Sequence, residues 1–478
     1  MATITESTAE PTLDAPNTSS NAIPVTLLSG FLGSGKTTLL KNILQSDKHQ
    51  LKIAVIVNDM AELNIDAAYI QQQAATQDEM KESEGGDLVS TKTPPRPAVI
   101  QAKREVVQLQ NGCICCTLRG DLIREIAAIQ GYGTYDYLVI ESTGIAEPQQ
   151  VAESFCFDAS TEELATSDKD RLWTQARLDT CVTVMDAHSV LHHFTSLEQF
   201  GDKYSDGLDT TTEDGIKEGQ KSISILMMEQ AEFANVILVN KTDLVSPEEL
   251  KKSVQIIRSL NPRAKIIPSE YGKIDLTEIL NTSKFDMEEA ARSPGWLEGL
   301  RGDAVHSEAD EYGVTSFVYR NRKPFSAVKL AKFLDQIIHF AHEWKALSPE
   351  KRTAGGDAKY QYMMEHYGNI LRSKGFCWLA GKDSFMFGIA MSGRIGSLQG
   401  IMPWYSLIPR EQWGVEKDGA DYKLIESKFE GDHGDRRQEI VFIGTDLNME
   451  NIQKAMDACC LAEEELKTYK FYTDTGYP

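Results

Sequence analysis

Long apolar runs are missing from this 478-residue chain. No stretch approaches the roughly 20 residues that a membrane-crossing helix needs, so membrane-spanning classes are set aside. The opening MATITESTAEPTLDAPNTSSN has neither the basic start nor the apolar middle of a secretory signal, and it has no arginine, unlike a mitochondrial transit peptide. Residues 1–22 read as a disordered tail. Positive charge is also in short supply: 49 Lys and Arg face 71 Asp and Glu, for a formal net charge of −22. A surface of that sign repels polyanions, which argues against nucleic acid and against an anionic membrane as partners. Cysteine is rare, at eight residues, too sparse for a secreted disulfide framework. A cytoplasmic setting is expected. No internal repeat is apparent.

From about residue 23 short apolar strands alternate with amphipathic helices. IPVTLLSG, KIAVIVND, YDYLVIES, LDTCVTVMDA and NVILVNK read as buried strands, and KTTLLKNILQ as a helix. Near-continuous apolar strands separated by helices predict an α/β fold: a mostly parallel sheet covered by helices, running over 23–283. Polar stretches at 74–103, 158–176 and 196–222 interrupt it and read as surface insertions. Residues 284–312 read as a linker. Beyond it, GVTSFVYRNR, GFCWLA, SFMFGIAMSG and RRQEIVFIG read as strands. SAVKLAKFLDQIIHFAHEW and NMENIQKAMDACCLAEEEL read as helices. A smaller α+β domain over 313–478 is expected.

GFLGSGKT, Gly30 to Thr37, fits G-x-x-x-x-G-K-[ST] and lies between a predicted strand and a predicted helix. That context suits a phosphate-binding loop of the P-loop NTPase type, in which glycines let backbone N–H groups wrap the phosphates and the helix N-terminus adds positive charge. Gly30, Gly33, Ser34, Gly35, Lys36, Thr37 and Thr38 form the candidate phosphate set. Lys36 would pair with the β- and γ-phosphates, and Thr37 would ligate Mg²⁺. Downstream, Asn240-Lys241-Thr242-Asp243 resembles the N-K-x-D element with which GTPases read guanine. A carboxylate accepts two N–H bonds from guanine, whereas adenine has no matching donor pair. Asp243 would therefore discriminate, Asn240 would support the loop and the base edge, and Lys241 would pack along the ring. Strand 137–140 delivers Glu141 to the carboxyl edge of the sheet, where it would orient Mg²⁺, with Gly144 as a γ-phosphate sensor. GTP is the expected nucleotide.

Three of the eight cysteines, Cys113, Cys115 and Cys116, fall within four positions just ahead of Thr117, a candidate helix N-cap. A helix N-terminus favours thiolates, and three in a small volume form a soft site suited to a tetrahedral metal. Metal binding is the preferred reading; a redox pair and passive packing are the alternatives weighed. Cys181 and Cys377 look like core residues. His188 and His192, at i and i+4, together with His193, offer a second metal candidate, against which stands a plain solvated helix face. Arg436 and Arg437 read as structural ion-pairing residues, Trp378 and Trp404 as core.

GFLGSGKTT, GCICCT, ESTGIAEP and NKTD, in this order, resemble the CobW family of GTPases, the zinc and cobalt metallochaperones related to hydrogenase- and urease-maturation GTPases. SFVYRNRKPF, RSKGFCWLA and GDRRQEIVFIG resemble the CobW C-terminal domain. The resemblance covers about 23–283 and 313–465. It implies GTP hydrolysis with Lys36 and Glu141 in catalytic roles, and Zn²⁺ or Co²⁺ held by Cys113, Cys115 and Cys116 when Mg-GTP orders the switches. The expected partners are guanine nucleotide, a metal-receiving client protein that the resemblance does not identify, and a second copy of the chain in the GTP-bound state. The chain departs from the family where the switch usually reads N-E-F-G-E: here it is Asn58-Asp59-Met60-Ala61-Glu62, which leaves Asp59 and Glu62 as switch candidates. The tail has no Cys-Pro docking element and the chain no long histidine-rich store. A thiol redox sensor on a GTPase switch, and a P-loop small-molecule kinase, are the competing functional classes.

Overall fold

The computed structural model describes residues 22–46, 48–58, 104–109, 126, 129, 135–156, 175–204, 211–287, 313–353 and 357–470. The first layer is a seven-stranded sheet of β1 (Ile23–Ser29), β2 (Ile53–Asn58), β3 (Arg104–Leu109), β4 (Tyr137–Glu141), β5 (Ala176–Asp186), β6 (Val236–Asn240) and β7 (Lys265–Pro268). Their order is β3-β2-β4-β1-β5-β6-β7, and every pairing is parallel. Alternation explains the apolar runs, because successive strand residues face opposite sides. Ile53, Val55, Tyr137 and Val139 join one core with Leu39, Leu40 and Ile43 of the helix Lys36–Gln45. Ala54, Ile56, Leu138 and Ile140 join another with Val151 and Phe155 of the helix Pro148–Cys156. Trimming one of these fully buried side chains, for example Ile43→Ala, is expected to cost about 2–5 kcal/mol.

The second layer is a six-stranded sheet of β8 (Val314–Asn321), β9 (His339–Phe340), β10 (Asn369–Cys377), β11 (Phe385–Ser392), β12 (Ile395–Pro403) and β13 (Gln438–Thr445), in the order β8-β13-β10-β11-β12-β9. It is antiparallel apart from the two-residue β12–β9 pairing. β13 is buried along its whole length because its two faces serve two cores. Ile440 and Phe442 pack with the helices Ala327–Ile337 and Met449–Cys459. Val441 and Ile443 pack against the first layer, with Met227, Ile256 and Ile257 of the helices Ile223–Phe233 and Pro247–Leu260.

Two expectations change. The run SAVKLAKFLDQIIHFAHEW is not one helix. It stops at Ile337, Ile338 turns extended at φ −130°, His339–Phe340 pairs with β12, and a second helix covers Ala341–Ala346. The stretch 196–222 is not simply a surface insertion. Leu197 and Phe200 are buried, and the Arg352 guanidinium forks onto Asp202 with both bonds at 2.7 Å. Among the described residues no helix is long and apolar enough to cross a membrane.

Candidate functional site at the carboxyl edge of the parallel sheet

β1 ends at Ser29 between β4 and β5, and Gly30 to Thr37 form the turn into the helix Lys36–Gln45. Two glycines of this turn are sterically required. Gly30 has φ +136°, and a Cβ there would lie 2.2 Å from the Val184 carbonyl oxygen. Gly35 has φ +109°, with Asn240 Nδ2 2.2 Å from the same construction. The turn is thus pressed against β5 on one side and the end of β6 on the other. The first backbone N–H groups of a helix have no intrahelical partner, so this turn presents donors toward the carboxyl edge.

Lys36 is buried, and its ammonium donates to the carbonyls of Gly30 (2.8 Å) and Phe31 (3.2 Å). Burial holds its pKa below the ordinary lysine value, and the nearby Glu141 carboxylate opposes that shift. Thr37 Oγ1 donates to Glu141 Oε1 at 3.5 Å, across 104 residues of sequence, because β4 lies beside β1 with Leu28 opposite Glu141. Thr38 is exposed one residue further along the helix. The Ser34 and Thr143 hydroxyls are buried and find no hydrogen-bond partner among the described residues. Buried hydroxyls normally have one, so these suit a ligand rich in acceptor oxygens. Gly144 packs its main chain against Leu32 of the turn, where a Cβ would come within 2.8 Å of the Leu32 nitrogen. Its carbonyl accepts from Gln230 Nε2 at 3.1 Å.

Asn240, at the end of β6, ties three segments together. Its amide donates to the Ser34 carbonyl (2.9 Å), and its carbonyl oxygen accepts from Ser269 Oγ (3.1 Å) and the Gly272 N–H (3.0 Å). Lys241 sits in the left-handed region at φ +61°, with its ammonium 2.8 Å from Asp186 Oδ2. Asp243 is exposed in the turn Thr242–Leu244, with no hydrogen bond or ion pair among the described residues. Its acceptor oxygens are therefore open to donors from a ligand.

Gly30, Gly33, Ser34, Gly35, Lys36, Thr37, Glu141, Gly144, Asn240, Lys241 and Asp243 thus converge on one sheet edge. Two contributors were missed in the sequence. Asp186 closes β5 at that edge, a position its strand already implied. The loop Ser269–Gly272 follows β7, a strand too short and too polar to be recognised.

The histidines do not form a shared site. The helix begins at Val190, so His188 lies in the preceding turn. His192 points to solvent near Glu198, and His193 is buried edge-on to Phe31. Burial, reinforced by the positive charge of Lys203, pushes the His193 pKa down to about 4. Among the described residues no three His, Cys, Asp or Glu side chains are placed to share a metal ion. Cys113, Cys115, Cys116, Asp59 and Glu62 lie outside the described residues. Cys181 and Cys377 are buried in the core, as expected, and burial pushes the Cys377 thiol up to about 12. Arg436 donates to the Asp383 carbonyl at 2.8 Å and Arg437 to Glu439 at 2.8 Å, while Trp378 and Trp404 are fully buried.

Residues 24–268 match the family model described as CobW/HypB/UreG, nucleotide-binding domain, which covers β1 to β7. The chain belongs to the CobW/HypB/UreG family. Residues 314–460 match the CobW C-terminal domain, from β8 through the helix Met449–Cys459. The chain is 38% identical over 448 residues to the zinc-regulated GTPase metalloprotein activator 1 of Dictyostelium discoideum, covering 93% of this chain and 81% of that protein. It is 24% identical over 411 residues to the zinc chaperone YjiA of Escherichia coli, covering 85% of this chain and 94% of that one. The protein of the same name as the Dictyostelium relative in Schizosaccharomyces pombe is 30% identical over 268 residues, 56% of this chain and 50% of the relative. For this CobW chain the nucleotide-binding domain and the C-terminal domain therefore coincide with the two sheets.

Proposed function

We propose that this chain is a cytoplasmic GTPase that binds Zn²⁺ through Cys113, Cys115 and Cys116 in its GTP-bound state and passes the metal to a client protein. The observation that carries the nucleotide half is the meeting, at one sheet edge, of a buried lysine on the glycine turn, a Thr37–Glu141 oxygen pair and an exposed Asp243 without a partner among the described residues. The name of the Dictyostelium relative and the family supply GTP hydrolysis and zinc. The chain is a GTPase.

Within that reading Lys36 leaves the carbonyls of Gly30 and Phe31 to neutralise the β- and γ-phosphates, a change favoured because the phosphates are the stronger partner. Thr37 and Glu141 would hold Mg²⁺: both offer hard oxygen donors, the chemistry this ion selects. Bound there, the ion would draw charge off the transferring phosphoryl group. Gly144 senses the γ-phosphate through its main chain, the group nearest to the turn that a side chain would otherwise block. Asp243 accepts from the two guanine donors, and Lys241, anchored by Asp186, lays its stem along the ring.

The metal half rests on the thiol chemistry of the C-x-C-C run, which follows β3 in the sequence. β3 ends at Leu109, paired with Asn58 at the end of β2, on the sheet edge that carries the glycine turn. Soft thiolates suit Zn²⁺, and Co²⁺ shares their tetrahedral preference. If Mg-GTP orders the switch and the thiol run, nucleotide and metal must strengthen each other by equal factors. Zn²⁺ titrated against a competing chelator is expected to bind about 5- to 150-fold more tightly with a non-hydrolysable GTP analogue than with GDP. Cys113→Ser should abolish that difference. Equal affinity in both nucleotide states would overturn the coupled reading, and a reversible disulfide without zinc binding would favour a redox sensor. Sedimentation with the same two nucleotides tests GTP-dependent self-association.

A further inference from the structure

The N-K-x-D run accounts for one face and one edge of a bound base. A base has a second face, and the loop after β7 is bonded directly to the N-K-x-D run. Ser269 Oγ and the Gly272 N–H both bond Asn240 Oδ1, at 3.1 and 3.0 Å. The Ser269 carbonyl accepts from the Thr242 N–H and from Thr242 Oγ1, each at 3.3 Å. The loop is therefore stitched to the two residues that flank Lys241. On its other side Asn42, two turns into the first helix, donates to the carbonyls of Tyr271 and Gly272, both at 2.9 Å.

Tyr271 stands at the crest of this loop, and its conformation is costly. It adopts φ +53°, in the left-handed region that disfavours side chains other than those of Gly, Asn and Asp. Gly272 follows at φ +64°, packed on Leu39 where a Cβ would be 3.1 Å from the Leu39 backbone. Two consecutive left-handed residues, pinned from three directions, fix where the Tyr271 ring emerges. Yet the residue is 62% exposed, and the ring has no aromatic partner among the described residues. A glycine or asparagine would fit this backbone with less strain. Burial gives no reason for a tyrosine here. Strain of this kind, held by surrounding bonds, concentrates at sites of function.

We propose that Tyr271 is a base-stacking, affinity-supplying residue of the nucleotide site, closing over the purine ring so that the base lies between the Lys241 stem and the Tyr271 ring. The inference rests on the assignment of Asp243 to the base edge. Tyr271 lies two Cα steps from Ser269, so its Cα lies within about 7 Å of backbone that touches Thr242. Every purine has a π-face, so the ring supplies affinity for guanine and adenine alike and leaves discrimination to Asp243. Because GTP and GDP carry the same base, the contact strengthens both equally.

The test is binding of GTP and GDP by calorimetry, with the full chain, for Tyr271→Gly, Tyr271→Ala and Tyr271→Phe. Removing the ring is expected to weaken GTP and GDP by the same factor, about tenfold, while Phe keeps affinity within about twofold. The loss should appear in KM during turnover, as expected for binding made equally in ground and transition states. The glycine variant separates site from scaffold. It relieves the left-handed strain, so its nucleotide-free melting temperature should equal or exceed that of the native protein while its affinity falls. The added fluorescence of Tyr271→Trp should be quenched by GDP. Wild-type affinity in the Gly and Ala variants would overturn the proposal, as would a Phe variant as weak as Ala. A native protein that binds neither nucleotide would instead overturn the assignment of the whole site.

Discussion

The carboxyl edge of the parallel sheet and the buried carboxylates of the antiparallel domain treat their polar groups in opposite ways. Among the described residues at the carboxyl edge of the parallel sheet, Asp243 has no partner and the Ser34 and Thr143 hydroxyls are buried without one, while Lys36 is parked on loop carbonyls. In the antiparallel domain two buried carboxylates are closed by partners. Asp383 accepts from Trp378 Nε1 at 2.7 Å and from the Tyr469 hydroxyl at 2.6 Å. Glu439 accepts from Arg320 at 3.1 Å and from Arg437 at 2.8 Å. A closed network of this kind specifies a packing arrangement, while open donors and acceptors await a ligand. Charge alone does not distinguish the two; partnership does.

The sharpest way to break that contrast is Lys36→Ala. If the lysine is kept for a ligand, turnover should fall by about a hundredfold or more, because the phosphates lose their nearest fixed cation. The melting temperature should hold, since a desolvated lysine adds little to folding. Phosphate release and thermal unfolding measure both; undiminished turnover would remove this turn from the active site.

A closed pair should behave in reverse. Arg372 forks onto Glu232 at 2.6 and 2.8 Å where the two layers meet, with both side chains buried. Arg372→Ala is expected to cost about 3–5 kcal/mol in urea unfolding, because Glu232 is left buried without its main partner. Lys374, 3.9 Å from Glu232, softens the loss. Replacing both Arg372 and Glu232 by methionine should come out near neutral. A double variant as unstable as the single would mean that the pair itself, not the orphaned charge, matters.

Asp243→Asn should leave folding unchanged and weaken GTP by about ten- to a hundredfold, since a charged acceptor of two N–H groups becomes half donor. Xanthosine triphosphate, which presents an acceptor at that edge, should bind the variant better than GTP does. Retained GTP selectivity would take the carboxylate off the base.

The smallest effects come from two buried titrating groups with opposite pH windows. Burial, with the neighbouring Glu147 charge, pushes Glu229 up to about 7. Its folded pKa is raised, so its contribution is full below about pH 4.5 and is lost as pH rises through 7. His193 is depressed to about 4, so its contribution is present above about 6.5 and is lost as pH falls through 4. Urea midpoints at pH 5 and 7.5 should show Glu229→Gln gaining relative stability at the higher pH, on the order of 2 kcal/mol. His193→Phe should lose the acid sensitivity in its own window. Identical pH profiles for variants and native protein would place both groups in water.

Much of the fold and site could be read in the chain because the chemistry there is local. A glycine turn followed by Lys36 and Thr37 carries its own geometry within eight residues, and Asn240 to Asp243 does so within four. The buried strands were legible because both their faces meet apolar cores, which produces an uninterrupted signal. Short or polar strands gave none: β3 reads REVVQL, β7 reads KIIP and β12 contains Gly396 and Gly400.

What the sequence determined by itself was the set of reacting groups and the alternation that buries each strand, because period and residue type are properties of short windows. Tertiary structure decided which distant groups meet. Glu141 reaches Thr37 only because β4 lies beside β1, and Asp186 reaches Lys241 only because β5 pairs with β6. The apolar helix pattern of 326–344 was overridden at Ile338, where His339 donates its N–H to the Arg394 carbonyl and its strand pairs with β12. Those outcomes depend on hydrogen bonds and burial across a hundred or more residues in the first case, and on strand pairing outside the helical window in the last. No local periodicity encodes them.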